Sequence, residues 1–426
     1  MTRKIPAKGI NLFQLIYILI REYEEKSGLK ALNLSLGNPD GVPNENIRML
    51  KAKYAADSGF KYHTYAEDGD RHDFLSGMIK AHCGVDIKSH EHLSGVPIPG
   101  IKTAGALMPL ACGAHLPDRK QRDEFVVASN VPAYDVIGTW TTSYLGSNRI
   151  EWPLYVTDGM RLNLDALDGA LKKAGKERVD LLYVIRPGNP AAVGASRDDW
   201  NKIMDWCVKR NTRLVNDGAY AALCEPGKHV SLAEVAKDRT DCEWLEMFSV
   251  SKSFNDPGAR LGAVVGSKDF VDDFKLIKGN ADSGPVPSVM AAYGEFFKDE
   301  GQTSAALNEI KALYQKRLTY VIESFKKVGL VQACDTSAGF FTLWQVPKKA
   351  FGINFEESKE FAGMSKHEAF NRLVIKETGI VGVHFQAKNE KGEGVPLIRY
   401  AVCDDVLAPE FQKRFQEGIA RMNPEY

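Results

Sequence analysis

The feature that most constrains the fold is a series of short segments whose apolar residues stand side by side and do not alternate with polar ones, with helical patterns between some of them. The runs stand at residues 124–129, 179–186, 213–217 and 244–250, and helical patterns over about 164–174 and 196–210 lie between them. A strand that is apolar on both faces has to be covered on both sides, as happens when helices pack on a parallel sheet. The sequence therefore predicts an α/β fold built on a mostly parallel sheet.

The length of the chain predicts more than one domain. Its 426 residues exceed what one hydrophobic core supports, so we expect two or three domains. Residues 305–328 have the apolar spacing of a long helix, and strands at 337–346 and 396–402 indicate a smaller α+β unit. We therefore divide the chain into an N-terminal helix and arm (1–45) that packs with the small domain, a large domain (46–300), and an interdomain helix with the small domain (301–426).

Charge and composition exclude several functional classes. Lysine plus arginine equals aspartate plus glutamate, at 55 each, so no net field recruits nucleic acid or an acidic membrane. Seven scattered cysteines are typical of free thiols in a reducing cytoplasm, and the nine histidines lack metal-site spacing, so we expect no metal. The apolar run at 12–20 is too short to span a bilayer. It predicts an amphipathic helix, with a signal peptide as the alternative.

The stretch SVSKSFNDPGARLGAVVG, at residues 249–266, carries the strongest chemical signal. Lys252 follows a buried strand and lies among the hydroxyl residues Ser249, Ser251 and Ser253, and Arg260 comes shortly after. A lysine in a dry site has a lowered pKa, and its neutral amine attacks aldehydes. Arginine and serine together bind a phosphate dianion. The pattern therefore favours pyridoxal 5′-phosphate over the alternative, a plain surface loop.

Other polar residues follow the ends of the remaining predicted strands. Tyr134 comes after the run at 124–129, Asn189 follows the run at 179–186, and Asp217 ends the next. Ligands of open α/β sheets bind at the carboxyl ends of the strands, so we expect these side chains to meet at one site. A flat aromatic such as Tyr134 is suited to stack on a planar ring there.

Three further features complete the set of candidates. Gly37 ends a short strand in a Gly-Asn-Pro turn that either approaches a ligand or simply connects two elements. The segment from Thr103 to Leu107 predicts a glycine turn that opens a helix, whose free N–H groups suit a phosphate. Arg399 lies among apolar residues and needs an anion, either a substrate or a structural partner at Asp404 or Asp405.

Taken in order, these residues resemble the aspartate aminotransferase superfamily, the class I/II aminotransferases of pyridoxal-phosphate fold type I. The resemblance covers roughly residues 30–410. Its anchors are Gly37, Thr103 to Leu107, Tyr134, Asn189-Pro190, Asp217 with Tyr220, Ser249-x-Ser251-Lys252, Arg260 and Arg399. It implies a seven-stranded type of sheet in the large domain and an enzyme that moves the amino group of an L-amino acid to a 2-oxo acid by a ping-pong cycle.

The resemblance also implies roles around the cofactor ring. Lys252 is expected to form the internal aldimine and to shuttle the proton once the substrate frees it. Asp217 is expected to pair with the pyridine nitrogen, which makes the ring an electron sink. Tyr220 and Asn189 are expected to hydrogen-bond the 3-oxygen of the ring, and Tyr134 to stack on it.

The phosphate and the substrate receive their own sets of residues from the resemblance. The residues expected at the phosphate are Thr103, Gly105, Ala106, Leu107, Ser249, Ser251, Arg260 and, from the partner subunit of a homodimer, Tyr65. Arg399 is expected to bind the α-carboxylate of the substrate, with help from Gly37 and Asn189. Lys278 or Asn280 is a candidate for the side chain of a dicarboxylate substrate.

The chain departs from the family pattern in three places. NPAAVG stands where Asn-Pro-Thr-Gly is usual, DRHDF lacks the usual Leu-Arg pair, and TAGAL lacks a side-chain hydroxyl that some members place on the phosphate. Two alternatives to a transaminase stay open at this point. One is a lyase or synthase that uses the same cofactor for elimination or substitution, and the other is a non-catalytic binding or regulatory protein that keeps the fold.

Overall fold

The computed structural model describes residues 12–39, 41–65, 68–116 and 124–426. The strands are β1 Leu32–Asn33, β2 Leu93–Ile98, β3 Val126–Val131, β4 Asn148–Pro153, β5 Leu181–Ile185, β6 Arg213–Asp217, β7 Trp244–Ser249, β8 Gly262–Ser267, β9 Phe341–Gln345, β10 Lys349–Ala350, β11 Ile353–Asn354, β12 Ile380–Val381, β13 Val383–Lys388 and β14 Gly394–Ala401. The helices are α1 Leu12–Ser27, α2 Glu45–Ala56, α3 Asp68–Cys83, α4 Ile101–Ala111, α5 Val136–Gly138, α6 Leu164–Lys173, α7 Arg197–Arg210, α8 Leu232–Ala236, α9 Val250–Ser253, α10 Lys268–Gly279, α11 Pro287–Phe296, α12 Glu300–Lys327, α13 Lys366–Thr378 and α14 Pro409–Ile419.

A seven-stranded sheet forms the centre of the larger unit, in the order β2-β8-β7-β6-β5-β3-β4. The pairings from β7 through β6, β5 and β3 to β4 are parallel, and β8 is antiparallel to both of its neighbours. The central strands β5 and β7 are buried at every position, as the apolar residues on both of their faces predict. The predicted α/β class and mostly parallel sheet are therefore confirmed.

The edge strand β2 of this sheet has no counterpart among the predicted elements. Strand β2 contains Ser94, Gly95 and Pro97, which interrupt the apolar run that would indicate a strand. It lies at the edge of the sheet and pairs only with β8. An edge strand tolerates proline and glycine because one side of its backbone needs no partner strand.

The smaller unit is built on a three-stranded antiparallel sheet in the order β13-β14-β9. Strand β1, from the N-terminal arm, pairs in parallel with β12, which places the arm against this unit. Ile16 and Leu19 of α1 pack with Ile375 and Val383 of the same unit. The division of the chain at residues 45 and 300 stays a prediction.

Local sequence sets several helix boundaries in this fold. Helix α7 begins with a capping box in which Ser196 and Asp199 satisfy each other's backbone N–H groups. It ends at Asn211, whose left-handed conformation is typical of a helix terminus. The long helix α12 begins at a side-chain cap from Asp299. Among the described residues, no helix is both long and apolar enough to cross a membrane.

Candidate active site

A cavity of about 320 Å³ lies where the carboxyl ends of β5, β6 and β7 meet the smaller unit. Predicted site residues that line it are Gly37, Tyr134, Asn189, Asp217, Tyr220, Ser249, Ser251, Lys252, Arg260 and Arg399. They come from both sheets and from the N-terminal arm. The fold thus brings together ten residues that are spread from position 37 to position 399 of the chain.

Lys252 reaches this cavity because β7 ends at Ser249 and the chain turns at once into the short helix α9. The Ser251 N–H donates to Ser249 Oγ at 3.1 Å, and the two serine hydroxyls hydrogen-bond at 2.8 Å. Lys252 Nζ donates to the carbonyl oxygen of Gly37 at 2.9 Å. Burial lowers the pKa of Lys252, and the nearby Arg399 lowers it further. The geometry therefore presents an amine that loses its proton more easily than an exposed lysine.

Asp217 is the acidic group of the cavity. It ends β6, and its carboxylate accepts the N–H of Ala219 at 3.0 Å. Burial raises the pKa of Asp217 to about 6, while the Ala219 hydrogen bond and the charge of Lys252 act in the opposite direction. Beside it, burial raises the pKa of Tyr220, so this phenol keeps its proton at neutral pH. A cationic ring nitrogen placed against Asp217 would stabilise the carboxylate form.

Arg399 is a buried cation that has no carboxylate partner among the residues that the structure describes. Its side chain is 2% exposed, and Nη1 donates to Asn189 Oδ1 at 2.7 Å. Nη2 donates to the carbonyl of Ser35, and the buried Nε has no hydrogen-bond partner. The guanidinium also lies over the Phe341 ring, 4.3 Å from its centre.

The structural alternative for Arg399 is therefore wrong. Asp405 pairs with Arg317 at 3.4 Å, and no carboxylate of the described residues lies within 4.0 Å of Arg399. Burial lowers the pKa of Arg399 to about 10, which still leaves it charged at neutral pH. A buried charge that is held only by neutral acceptors favours the binding of an anion.

An anion cradle forms at the start of α4. Gly100 precedes this helix with φ at 108°, and no side chain caps the helix. The backbone N–H groups of Ile101, Lys102 and Thr103 therefore have no intrahelical acceptor. The Arg260 guanidinium packs directly on Gly100: a Cβ added there would come within 2.5 Å of Nη2. Helix N–H groups and a guanidinium at one point suit a phosphate.

The predicted glycine turn at Thr103 to Leu107 is wrong in its position. The helix begins earlier, at Ile101, because β2 ends at Ile98 and the Pro99-Gly100 pair separates the strand from the helix. Gly105, Ala106 and Leu107 therefore lie inside α4, where their N–H groups belong to the helix. Gly105 instead packs on Tyr183, whose hydroxyl oxygen lies 2.7 Å from the position of an added Cβ.

Three other predicted residues stand away from this cavity in their own chain. Tyr65 is 71% exposed and does not line it, so its role toward a partner subunit stays a prediction. Lys278 pairs with Asp282 at 2.5 Å beside a separate cavity of about 580 Å³. Asn280 donates to the carbonyl of Leu276 at 2.9 Å. Neither of the last two faces the cavity that holds Lys252.

Sequence reasoning missed several residues that line the cavity. Helix α1 brings Phe13 to its rim, and β5 contributes Tyr183. Lys102 also lines it, with Nζ 6.0 Å from the centre of the Tyr134 ring. The Pro99-Gly100 pair could have placed Lys102 in the first turn of the helix, because this pair marks a helix start more strongly than the glycine at 105 does.

The residues present fit both ends of pyridoxal 5′-phosphate. The amine of Lys252 suits its aldehyde, and Asp217 suits its ring nitrogen. The cradle of Gly100, Ile101 and Arg260 suits its phosphate, because an alanine at position 100 would fill the space beside the guanidinium.

Comparisons with known proteins agree with this fit. The family model described as aminotransferase class I and II matches residues 126–395. The chain is 27% identical to an LL-diaminopimelate aminotransferase of Syntrophobacter fumaroxidans over 414 residues, covering 96% of this chain and 95% of that one. A second protein of that name, from Nitratidesulfovibrio vulgaris, is 26% identical and covers 93% of this chain and 91% of its own.

Solved structures share the fold. A double mutant of the aspartate aminotransferase of Thermus thermophilus superimposes with a TM-score of 0.75 at 15% identity, covering 99% of each chain. A probable N-succinyldiaminopimelate aminotransferase of the same organism gives a TM-score of 0.74 at 20% identity, covering 96% of this chain and all of that one. At these identities, the likeness shows the fold alone.

Proposed function

Because the chain belongs to the aminotransferase class I and II family and is a pyridoxal-phosphate-dependent aminotransferase, we propose that its amino donor carries a second, distal carboxylate, as LL-diaminopimelate does. The acceptor is a 2-oxo acid. The observation that carries the proposal is a second cation in the cavity: Arg399, buried and without a carboxylate partner among the described residues, suits the α-carboxylate of the donor, and this leaves Lys102 for another anionic group.

The ammonium group of Lys102 is the proposed partner of the donor's second carboxylate. It is exposed at the cavity, its ammonium lies near Tyr134, and no carboxylate of the described part of the chain lies within 4.0 Å of it. A cation at this end of the cavity leaves Arg399 to the other end of the substrate. The names of the two relatives, LL-diaminopimelate aminotransferases, agree with a donor that is charged at both ends.

The proposed mechanism assigns the chemistry to this chain's own side chains. When bound, the cofactor supplies an aldehyde that bonds to amines and a ring that withdraws electrons from the α-carbon of the substrate. Lys252 Nζ would take the proton from that α-carbon and give it to the carbon that had carried the cofactor's aldehyde oxygen, and taking the proton requires the neutral amine form of the lysine. Its lowered pKa makes that form available.

Four residues hold the reacting centre in this proposal. Asp217 pairs with the ring nitrogen and keeps a positive charge there. Tyr220 and Asn189 donate to the ring 3-oxygen, and Asn189 also holds Arg399 through its Oδ1. Tyr134, which is 42% exposed at the cavity, stacks on the ring. Together they orient the α-carbon toward Lys252.

The phosphate of the cofactor is held by the cradle at α4 in this proposal. The N–H groups of Ile101, Lys102 and Thr103 donate to it, as do the hydroxyls of Ser249 and Ser251, and Arg260 supplies the charge. We also propose a homodimer, in which Tyr65 crosses to the phosphate of the partner. Its 71% exposure and that of the nearby Phe60, at 79%, support an apolar surface that a second copy covers.

The test is the visible absorbance of the purified enzyme with its cofactor, followed while single L-amino acids are added. We expect LL-diaminopimelate to bleach the band and a 2-oxo acid to restore it. A straight-chain amino acid with an uncharged side chain should need a much higher concentration to bleach the band to the same extent. In Lys102→Gln, the preference for the distal carboxylate should fall about tenfold or more, while bleaching by the uncharged amino acid is unchanged.

Lys88→Gln is the matched control, because Lys88 lies on the separate cavity and faces no part of this site. Equal bleaching by charged and uncharged amino acids in the wild type would overturn the proposed donor class. A preference that survives in Lys102→Gln would remove Lys102 from the substrate site.

A further inference from the structure

A layer of buried polar side chains lies beneath the active site and has no role in the functions assigned so far. Asn216 on β6 and Glu246 on β7 stand opposite each other in the strand register, and Arg186 directly follows β5. All three are fully buried, at 0% exposure. Side chains alternate along a strand, so Asn216 points away from the cavity that its neighbour Asp217 lines.

Asn216 clamps the backbone at the end of β5. Its Oδ1 accepts the N–H of Arg186 at 3.0 Å, and its Nδ2 donates to the carbonyl of the same residue at 2.9 Å. Both backbone hydrogen-bonding groups of Arg186 are therefore fixed by one side-chain amide. This point is where the chain leaves the sheet and enters the turn that carries Asn189 into the active site.

Glu246 determines which way the Asn216 amide points. Its Oε1 accepts from Asn216 Nδ2 at 2.7 Å, and its Oε2 accepts the N–H of Ala233 at 2.7 Å. An acceptor in this position selects the amide orientation in which Nδ2 faces Glu246 and Oδ1 faces the Arg186 N–H. In the reversed orientation, Nδ2 would face the Arg186 N–H and Oδ1 would face the Glu246 carboxylate. Donor would then face donor and acceptor would face acceptor in a buried place.

The Arg186 side chain closes the same turn from its other end. Its Nη1 donates to the carbonyl of Val193 at 3.3 Å, and Nη2 donates to the carbonyl of Met160 at 2.6 Å. The segment from 186 to 193 is thus anchored at its start by Asn216 and at its end by the guanidinium. Asn189 lies between the two anchors and accepts from Arg399 at 2.7 Å.

We propose that Asn216, oriented by Glu246, is a positioning residue for the transamination reaction. It sets the height of Asn189 above the sheet, and through Asn189 it sets the contact with Arg399. The inference rests on the proposed role of Asn189 at the cofactor ring and the substrate. It predicts that changes in a layer that touches neither cofactor nor substrate alter the properties of the site.

The test compares four variants of the holoenzyme: Asn216→Ala, Glu246→Gln, Asn189→Ala and Thr212→Val. Thr212 is the matched control, because it is buried directly before the first residue of the same strand and its substitution removes one hydrogen bond, to the carbonyl of Val179 at 2.7 Å. Three properties are measured: the melting temperature, the midpoint pH of the visible band of the bound cofactor without substrate, and KM and kcat for the amino donor.

We expect Asn189→Ala to shift the spectral midpoint, and Asn216→Ala and Glu246→Gln to shift it in the same direction by about half a pH unit, as the loss of one hydrogen bond does. KM for the donor should rise about tenfold in both, because Arg399 loses its alignment. Thr212→Val should lower the melting temperature through the loss of its own buried hydrogen bond and leave the spectral midpoint and the KM unchanged.

Two results would overturn the inference, and they differ. If Asn189→Ala shifts the midpoint while Asn216→Ala only lowers the melting temperature, the layer is structural and the role of Asn189 stands. If Asn189→Ala has no effect, the proposed role of Asn189 and the inference fall together. Should Asn216→Ala fail to fold, Glu246→Gln, which keeps the side-chain shape, decides by the same criteria.

Discussion

Gly100→Ala is the substitution whose effect the structure determines most directly. At this position φ is 108°, a region in which a residue with a Cβ is strained by about 1–3 kcal/mol. The new Cβ would lie 2.5 Å from Arg260 Nη2 and 3.2 Å from Cζ, so the guanidinium has to move. Its hydrogen bond from Nη2 to the carbonyl of Pro99, now 3.0 Å, would then break.

These contacts set the size of two separate effects. The strain, together with a lost hydrogen bond of about 1 kcal/mol, should reduce the free energy of unfolding of the apoenzyme by roughly 2–4 kcal/mol. A displaced Arg260 also loses a charge-assisted contact with phosphate, which typically contributes about 1.5–3 kcal/mol. The dissociation constant of pyridoxal 5′-phosphate should therefore rise by about one to two orders of magnitude.

The assay is a titration of the apoenzyme with pyridoxal 5′-phosphate, followed by absorbance, and a competition with inorganic phosphate. Gly258→Ala is the control: it lies two residues before Arg260, and no atom lies within 4 Å of an added Cβ there. It should bind the cofactor as the wild type does. Wild-type affinity for both the cofactor and phosphate in Gly100→Ala would refute the cradle at α4.

Three further predictions test other parts of the site. Lys252→Ala should abolish turnover in a protein that folds with a wild-type circular dichroism spectrum, because the amine that moves the proton is gone; full activity would remove the central assignment. Arg399→Gln should raise KM for the donor by about a hundredfold while the melting temperature of the apoenzyme stays level or rises, since a buried charge without a described carboxylate partner costs stability. Glu246 has a pKa raised from 4.5 to about 7 by burial, against the hydrogen bonds from Ala233 and Asn216. The folded state therefore holds this proton more tightly than the unfolded chain, and its contribution to stability is present below pH 4.5 and is lost as the pH rises to about 7. Urea unfolding at pH 5 and pH 7.5 should show the wild type losing roughly 2 kcal/mol more than Glu246→Gln over this interval, and parallel losses would contradict the assignment.

Much of the site could be predicted because its residues follow strands. Lys252, Asp217 and Asn189 each stand at or just after the end of a predicted strand, and parallel strands bring such positions to one edge of the sheet. The phosphate cradle was misplaced because a helix start is a matter of backbone conformation. Gly100 with a positive φ and Gly105 in mid-helix are the same residue type in the sequence, and only their surroundings differ.

The polar layer beneath the site also escaped prediction. Glu246 lies within one predicted strand and Arg186 ends another, and their separation along the chain hides that both contact Asn216. Strand β2 was missed because the burial that makes a strand visible in sequence is weakest at a sheet edge.

The sequence by itself determined the class of fold, the order of the strands along the chain and the residues that end them, because the period of apolar residues records burial locally. Contacts between distant segments were decided only by the tertiary structure. The carbonyl of Gly37 that accepts from Lys252 lies 215 residues away, and Asn189 lies 210 residues from Arg399. No local pattern specifies such pairs, because their geometry depends on how the smaller unit and the N-terminal arm close over the edge of the sheet.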